Sequence, residues 1–261
     1  MNLHIDIGGT YIRYQLDSLE VERVQSDDPI AVVDGLIAKY PMVEKIFISF
    51  AGQVSGGIIF SAPNIDIKDL DIKARFAPKE VYIDNDLNCA VLAQSRYFDE
   101  PDIVALYIGT GMGSGIVSGG HLIRGVNNLA GEVGHIAFKQ APFFCGCSKD
   151  NCIELFSSGS GIDKWAAHYQ KEFKQLQDLP EELYGDFLEG MMRAASTLIT
   201  LFNPKILVLG GGVIENNPFL IDYTKENISR YAFHPAIEGL QIVASKIPNA
   251  PLEGCRLLEE A

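Results

Sequence analysis

A chain of 261 residues, 47% of them hydrophobic, is long enough for two domains or one large one and has ample material for a packed core. Its formal net charge of −13 sets an acidic surface that repels nucleic acid and anionic membranes, so neither is expected as a main partner. No stretch approaches the ~18 uninterrupted apolar residues of a membrane helix, and the first seven residues lack the charged start and long apolar core of a signal peptide. With five cysteines, an odd number, a disulfide framework is not expected and a reducing cytoplasm is.

Residues 3–7 and 11–16 are short β-rich runs on either side of Asp6-Ile7-Gly8-Gly9-Thr10 and read as a hairpin feeding a sheet. Residues 29–40 and 88–98 have helical spacing, while 45–50, 57–62 and 81–84 carry the branched and aromatic enrichment of buried strands. This is an α/β half-molecule. The pattern restarts at 103–108, passes through Gly109-Thr110-Gly111-Met112-Gly113, and continues as strands at 115–118 and 121–123. Residues 155–175 and 181–202 read as longer helices, the second with Leu183, Phe187, Met191, Leu198 and Phe202 on one side and ended by Asn203-Pro204. A buried strand at 206–209 opens onto Gly210-Gly211-Gly212, and a helix over 218–231 and a strand over 240–246 come next. The expected division is a smaller α/β domain, 1–100, on which a tail at about 250–261 packs back, and a larger one, 101–249.

Glycine lets backbone N–H groups approach phosphate oxygens with no Cβ in the way. Two such turns about a hundred residues apart suggest a duplicated phosphate cradle, although each alone reads equally as a hairpin turn. Asp6 lies at the mouth of the first turn, where a carboxylate can hold Mg²⁺ directly or through water, and Thr10 adds a hydroxyl donor. Asn85-Asp86 ends a strand and precedes a helix; an Asp there can accept the proton of a sugar hydroxyl attacking a γ-phosphate, or it can cap the helix. Gly131-Glu132-Val133-Gly134-His135 is followed by Cys145, Cys147 and Cys152. Three thiolates and one imidazole form a tetrahedral zinc set, the alternative being redox-silent thiols beside an unrelated histidine. Four protein ligands close such a site, so the zinc would be structural and hold Glu132 and Glu154 in position. Glu132, Glu154, Asn64 and Asn85 can hydrogen-bond several hydroxyls of a sugar at once, though each taken singly reads as a surface residue.

Taken in chain order, these motifs, together with Ala62-Pro63-Asn64, resemble the ROK family of sugar kinases and sugar-responsive repressors, within the actin-like ATPase superfamily. The resemblance implies two actin-like (ribonuclease H-like) α/β domains with a nucleotide and sugar cleft between them. It makes Asp86 the general base and Asn64, Asn85, Glu132, His135 and Glu154 the sugar contacts, with His135 also reaching zinc alongside Cys145, Cys147 and Cys152. Gly8, Gly9, Thr10, Gly109, Thr110, Gly111 and Gly113 would hold the ATP phosphates, and Gly210, Gly211 and Gly212 would lie near the adenosine. The chain departs from the family pattern at Tyr11, where a lysine is frequent, at Ser148 and Asn151, where glycines are common, and at Asp84 and Gln94, which replace two frequent glutamates. The family's repressors carry an N-terminal helix-turn-helix, which is not expected here because the phosphate turn begins near residue 6.

The expectation is therefore a cytoplasmic, homodimeric, ATP- and Mg²⁺-dependent hexose kinase with structural Zn²⁺. Glucose is the first acceptor, and N-acetylmannosamine, N-acetylglucosamine and fructose are the alternatives. A catalytically silent sugar-sensing regulator is the rival from another class, opposed by the intact Asp6, Asp86 and glycine turns. A filament-forming or chaperone ATPase is disfavoured by the cysteine cluster.

Overall fold

A computed structural model describes residues 1–9, 11–17, 19–25, 28–62 and 67–261. Thr10, Pro63 and Asn64 lie outside the described residues. The chain falls into two compact units, one of residues 1–99, 121–130 and 247–261, the other of 100–120 and 131–246. Residues 121–130 thus pack with the first unit, and the C-terminal residues do too.

The first unit contains strands β1 (Asn2–Ile7), β2 (Ile12–Leu16), β3 (Glu22–Val24), β4 (Lys45–Phe50), β5 (Gln53–Ser55), β6 (Ile58–Ser61), β7 (Lys68–Asp71) and β8 (Glu80–Asn85). Its main sheet has the order β3-β2-β1-β4-β8, with β1 antiparallel to β2 and parallel to β4, and β4 parallel to β8. Both faces of β1 and β4 are covered, which is why Leu3, Ile5, Ile7, Ile46, Ile48 and Phe50 read as near-continuous apolar runs and are fully buried. Helix α1 (Pro29–Lys39) starts at Asp28, whose side chain accepts the Ala31 N–H, and has proline in its first turn. In place of the single strand expected over 57–62 there is a three-stranded antiparallel sheet, β5-β6-β7. The Gly56-Gly57 turn reverses the chain into β6, and β7, reading Lys-Asp-Leu-Asp, carries almost no apolar signal. Helix α2 (Ile72–Arg75) leads to β8, and α3 (Asp86–Phe98) comes directly after it. The C-terminal helix, Ala250–Cys255, packs on α3, β1 and β4. Its Gly254 lies so near the Cys89 carbonyl that a Cβ there would stand 1.6 Å from that oxygen.

The second sheet runs β11-β10-β9-β12-β13, comprising β9 (Ile103–Ile108), β10 (Met112–Ser118), β11 (His121–Leu122), β12 (Ile206–Gly210) and β13 (Gln241–Ala244). Here β9 is antiparallel to β10 and parallel to β12, and β12 is parallel to β13. The order and sense are those of the first sheet, so each glycine turn joins the first and second strands of its own sheet. Strand β10 begins at Met112 rather than at 115, which puts Gly113 in the strand opposite Tyr107 and leaves 109–111 as the turn.

Helix α4 (Gly159–Tyr169) is shorter than the expected 155–175. Ser158 caps it by accepting the Gly161 N–H, Gln170 in the left-handed region ends it, and a 3₁₀ turn at Ile153–Leu155 precedes it. The Ser-Ser-Gly-Ser-Gly run at its start favours capping over helix interior. Helix α5 (Glu181–Phe202) buries Leu183, Phe187, Met191 and Leu198 and ends at Asn203, again left-handed. Helices α6 (Gly212–Asn216), α7 (Phe219–Asn227) and α8 (His234–Ile237) complete the second unit. Among the described residues no helix is long and apolar enough to cross a membrane.

Candidate active site

In the first unit a polar row crosses the main sheet on one face: Arg23 opposite Arg13, Arg13 opposite Asp6, Asp6 opposite Ser49, and Ser49 opposite Asp84. Side chains alternate between faces along a strand, so in-register residues share a face. The row sits near the carboxyl ends of the parallel strands β1, β4 and β8, where ligands bind in open α/β sheets. Asp6 is buried, accepts from Ser49 Oγ at 2.9 Å through one oxygen and pairs with Arg13 Nη1 at 3.1 Å through the other. Burial pushes its carboxyl above the usual range, opposed by the Ser49 hydrogen bond and by Arg13. The first turn closes with the Gly8 N–H donating to the Tyr11 carbonyl at 3.1 Å. Tyr11 brings its own cation, because the Arg23 guanidinium stacks 3.3 Å from its ring centroid.

At the end of β8, Asn85 caps α3: its Oδ1 accepts from the Leu87 and Asn88 N–H groups at 2.9 and 3.4 Å. The capping role weighed for Asp86 belongs to its neighbour, and Asp86 is the first helical residue, where a carboxylate interacts favourably with the helix dipole. Asn85 also donates from Nδ2 to the Gly52 carbonyl at 3.1 Å, which leaves one amide hydrogen for a ligand. Asp84, not anticipated as a site residue, accepts from the Asn85 N–H at 2.7 Å and from Arg124 Nε at 2.8 Å.

In the second unit, the Gly109 N–H donates to the Gly111 carbonyl at 2.9 Å. The Gly109 and Thr110 carbonyls accept from the first amides of α4, Gly159 and Ser160, at 2.8 and 2.9 Å. The Gly210–Gly212 run comes after β12, and the Gly212 nitrogen lies 3.8 Å from where a Gly109 Cβ would stand. The two glycine segments therefore abut at the carboxyl ends of β9 and β12. Gly131 and Gly134 explain the spacing of the Gly-Glu-Val-Gly-His run. A Cβ at either would lie 2.3 Å from the Ser114 carbonyl oxygen or 2.2 Å from that of Met112. Only glycine allows this backbone to lie against β10, with Val133 buried between them and Glu132 and His135 at the surface.

His135 Nε2 sits 3.7 Å from a Glu132 carboxylate oxygen, while its Nδ1 lies 3.5 Å from Cys145 Sγ. Partial burial raises the Glu132 pKa, opposed by His135 and assisted by Glu154. Cys147 Sγ and Cys152 Sγ are 3.4 Å apart, and the ligand atoms of His135, Cys145, Cys147 and Cys152 all lie within 4.8 Å of one another. Zn–S bonds of about 2.3 Å set tetrahedral edges of roughly 3.8 Å, so the donor set fits zinc. Burial and the neighbouring thiols push Cys152 up to about 12, and burial also raises Cys145. The loop has a left-handed residue at 148, where Ser148 has φ 68°, a conformation that favours glycine. Glu154 accepts from the Met112 N–H at 2.9 Å through Oε2 and from Cys145 Sγ at 3.4 Å through Oε1. It therefore ties the cysteine loop to the second glycine turn.

Residues 2–260 match the model of the ROK family. The chain is 28% identical over 269 residues to the N-acetyl-D-glucosamine kinase of Vibrio vulnificus strain YJ016, covering 87% of this chain and 88% of that protein. It is 26% identical over 262 residues to the glucokinase of Thermotoga maritima, covering 87% and 81%. A ROK family glucokinase from Streptomyces griseus, solved with glucose and AMPPNP, shares the fold at a TM-score of 0.76 and 23% identity, covering 100% of this chain and 99% of that one. With this two-domain actin-like architecture and a family match from end to end, the chain belongs to the ROK family.

Proposed function

We propose that this ATP-dependent sugar kinase phosphorylates a gluco-configured hexose, glucose or its 2-acetamido counterpart N-acetylglucosamine, with Asp86 as general base. One observation carries the reading. Asp86 heads α3 at the end of β8, in a sheet whose β1 ends in Asp6 and the first glycine turn. On this reading the sugar hydroxyl gives its proton to the Asp86 carboxylate as its oxygen forms a bond to the γ-phosphorus. The bond from that phosphorus to the bridging oxygen breaks, and ADP leaves. Asn85 contributes its remaining amide hydrogen to the sugar, and the family pattern assigns Asn64, Glu132, His135 and Glu154 as further sugar contacts. The 8–10 and 109–111 turns receive phosphate oxygens, with the Gly8 and Gly109 N–H groups closing the turns and those of Gly9, Thr110 and Gly111 assigned to the phosphates; Gly113 lies at the start of β10, and Gly211 and Gly212 are assigned to the nucleoside.

Each Asp6 oxygen accepts one hydrogen bond and keeps a lone pair, so this carboxylate can hold a magnesium-bound water. Mg²⁺, when bound, neutralises charge on the transferred phosphoryl group. His135, Cys145, Cys147 and Cys152 would hold a structural zinc that fixes the loop bearing Glu154. The free thiols and the use of ATP support a cytoplasmic location, and a homodimer is the proposed assembly, measurable by light scattering.

Asp86→Asn is expected to bind sugar within a few-fold of the parent and to lose kcat by about 10²–10⁴-fold. A near-parental kcat would remove Asp86 from the base role. Coupled ADP release over glucose, N-acetylglucosamine, N-acetylmannosamine and fructose ranks the acceptors by kcat/KM.

A further inference from the structure

Asp84 is 3% exposed, yet each of its carboxylate oxygens is occupied. Oδ1 accepts from the Asn85 N–H at 2.7 Å, Asn88 Nδ2 at 2.8 Å and Asn128 Nδ2 at 2.7 Å, and Oδ2 accepts from Arg124 Nε at 2.8 Å. Asn128 is left-handed, at φ 59°, a conformation its short polar side chain tolerates. Its amide donates also to the Val54 carbonyl at 2.8 Å, and its Oδ1 accepts from Asn88 Nδ2 at 2.9 Å. The carboxylate therefore grips the residue before Asp86, the residue two positions after it, and two side chains of the 121–130 segment.

Stability alone does not explain this arrangement. A buried ion pair replaced by well-packed apolar groups is often neutral or better, and what a fully satisfied polar network supplies is one fixed geometry. We propose that Asp84 is a positioning residue for the phosphoryl-transfer site: with Arg124, Asn128 and Asn88 it locks the strand-to-helix turn so that Asp86 and Asn85 are presented in one orientation. The assignment rests on the reading of Asp86 as general base. Removing the lock lets the carboxylate wander relative to the sugar hydroxyl, and displacements of about 1 Å at a reacting centre cost on the order of 10²-fold in rate.

The test compares parent, Asp84→Asn, Arg124→Gln, the double variant and Asp86→Asn in coupled assays with glucose and N-acetylglucosamine, with Tm measured for each. In Asp84→Asn, whichever oxygen becomes –NH₂ meets an N–H donor, so the turn is disordered. Its kcat is expected to fall about 10²-fold well below its Tm, and the double variant to recover part of that loss, because the donor clash with Arg124 is gone. Arg124, with a 34% exposed side chain, is the safer site for folding. The acid limb of the kcat–pH profile supplies the decisive sign. Asp84→Asn leaves a cation near Asp86 and moves the limb to lower pH; Arg124→Gln leaves an anion and moves it to higher pH. Among the described residues, Asp6 on β1 with Arg13 on β2, Cys89 on α3, and Cys255 and Arg256 at the C-terminal end of the chain are the other charged or titratable groups around this helix start, and all are unchanged in these variants. Parental kcat in Asp84→Asn, or coincident pH profiles, overturns the positioning role while an inactive Asp86→Asn keeps the base reading. An active Asp86→Asn removes the base reading and the positioning role with it.

Discussion

Ser148 gives a quantitative handle on the cysteine loop. Its N–H donates to the Cys145 carbonyl at 2.9 Å and the Cys145 N–H to the Lys149 carbonyl at 2.8 Å, so the five residues close on themselves only with residue 148 at φ 68°. A left-handed non-glycine residue costs about 1–2 kcal/mol. Glycine removes that cost but gives up roughly 0.5–1 kcal/mol in backbone freedom when the loop orders. If the loop orders with the metal, Ser148→Gly should gain about 0.5–1 kcal/mol, hence about two- to five-fold tighter zinc at 1.4 kcal/mol per tenfold. Chelator competition on the purified protein measures the affinity, with Ser148→Asn expected between the two because asparagine tolerates this region. Gly146→Ala isolates the entropy contribution: its φ is not positive and a Cβ there meets nothing within 4 Å, so losing that glycine's backbone freedom should itself tighten zinc by about two- to five-fold. Unchanged zinc affinity and unchanged Tm in Ser148→Gly would refute the claim that this residue is strained.

Particular contacts elsewhere set further expected outcomes. Gly254→Ala places a Cβ 1.6 Å from the Cys89 carbonyl oxygen and must lift the C-terminal helix off α3, so roughly 3 kcal/mol should be lost in urea unfolding; an unmoved midpoint contradicts this packing. His4, stacked 5.1 Å from Phe47, is held down to about 4 by burial, with Arg256 adding to the shift. Its folded pKa lies below the unfolded 6.5, so stability is full above that value and falls by up to about 3 kcal/mol as pH drops toward 4. His4→Phe keeps the stack and should flatten that acid slope. Cys147→Ala should lower zinc well below one per chain by elemental analysis and weaken sugar binding, since Glu154 is anchored to the same loop; full metal content would sink the ligand assignment.

The features legible in the amino-acid sequence were those set by local rules. The cysteine spacing and His135 were enough to assemble a donor set because Cys145, Cys147 and Cys152 lie on one loop, and His135 is brought there by a run whose two glycines fit only against β10. Asn203 could be read as a helix end because its left-handed cap precedes a proline. The misreadings have equally physical causes. Residues 155–158 look apolar enough for a helix, but Ser158 finds a better use for its hydroxyl as a cap. Strand β7 is charged and could not be found by periodicity. The Asp84 network was invisible because Arg124 and Asn128 lie 40 and 44 residues away, in a segment whose chain neighbours belong to the other unit. A signal existed in the form of a buried strand ending in an acid, Asp84, whose charge demands a partner somewhere.

The two sheets share an order but not a chemistry, and the difference lies in the turns that follow β8, at the edge of the first sheet, and β12, inside the second. In the first, β8 leads into Asn85-Asp86, an amide that donates and a carboxylate that can take a proton, and the buried carboxylate at 84 accepts the Asn85 N–H. In the second, β12 leads into Gly210-Gly211-Gly212, where a Cβ at Gly210 would meet the Tyr107 ring at 2.6 Å and one at Gly211 the Ile108 carbonyl oxygen at 2.5 Å. On the proposed reading this is a division of labour set by the ligands. Proton transfer needs a side chain whose orientation is fixed to a fraction of an ångström, so its half is braced by a polar network. Phosphate and nucleoside need closely approaching backbone amides, so their half is built from glycines braced by the start of α4. The Asp84→Asn and Glu154→Gln substitutions should therefore fail differently. The first removes a brace from the proton acceptor and should act on kcat. The second weakens the hold on the Met112 amide beside the glycine turn and should raise KM for ATP as well as for the sugar. Equal effects of both on the same parameter would dissolve the distinction.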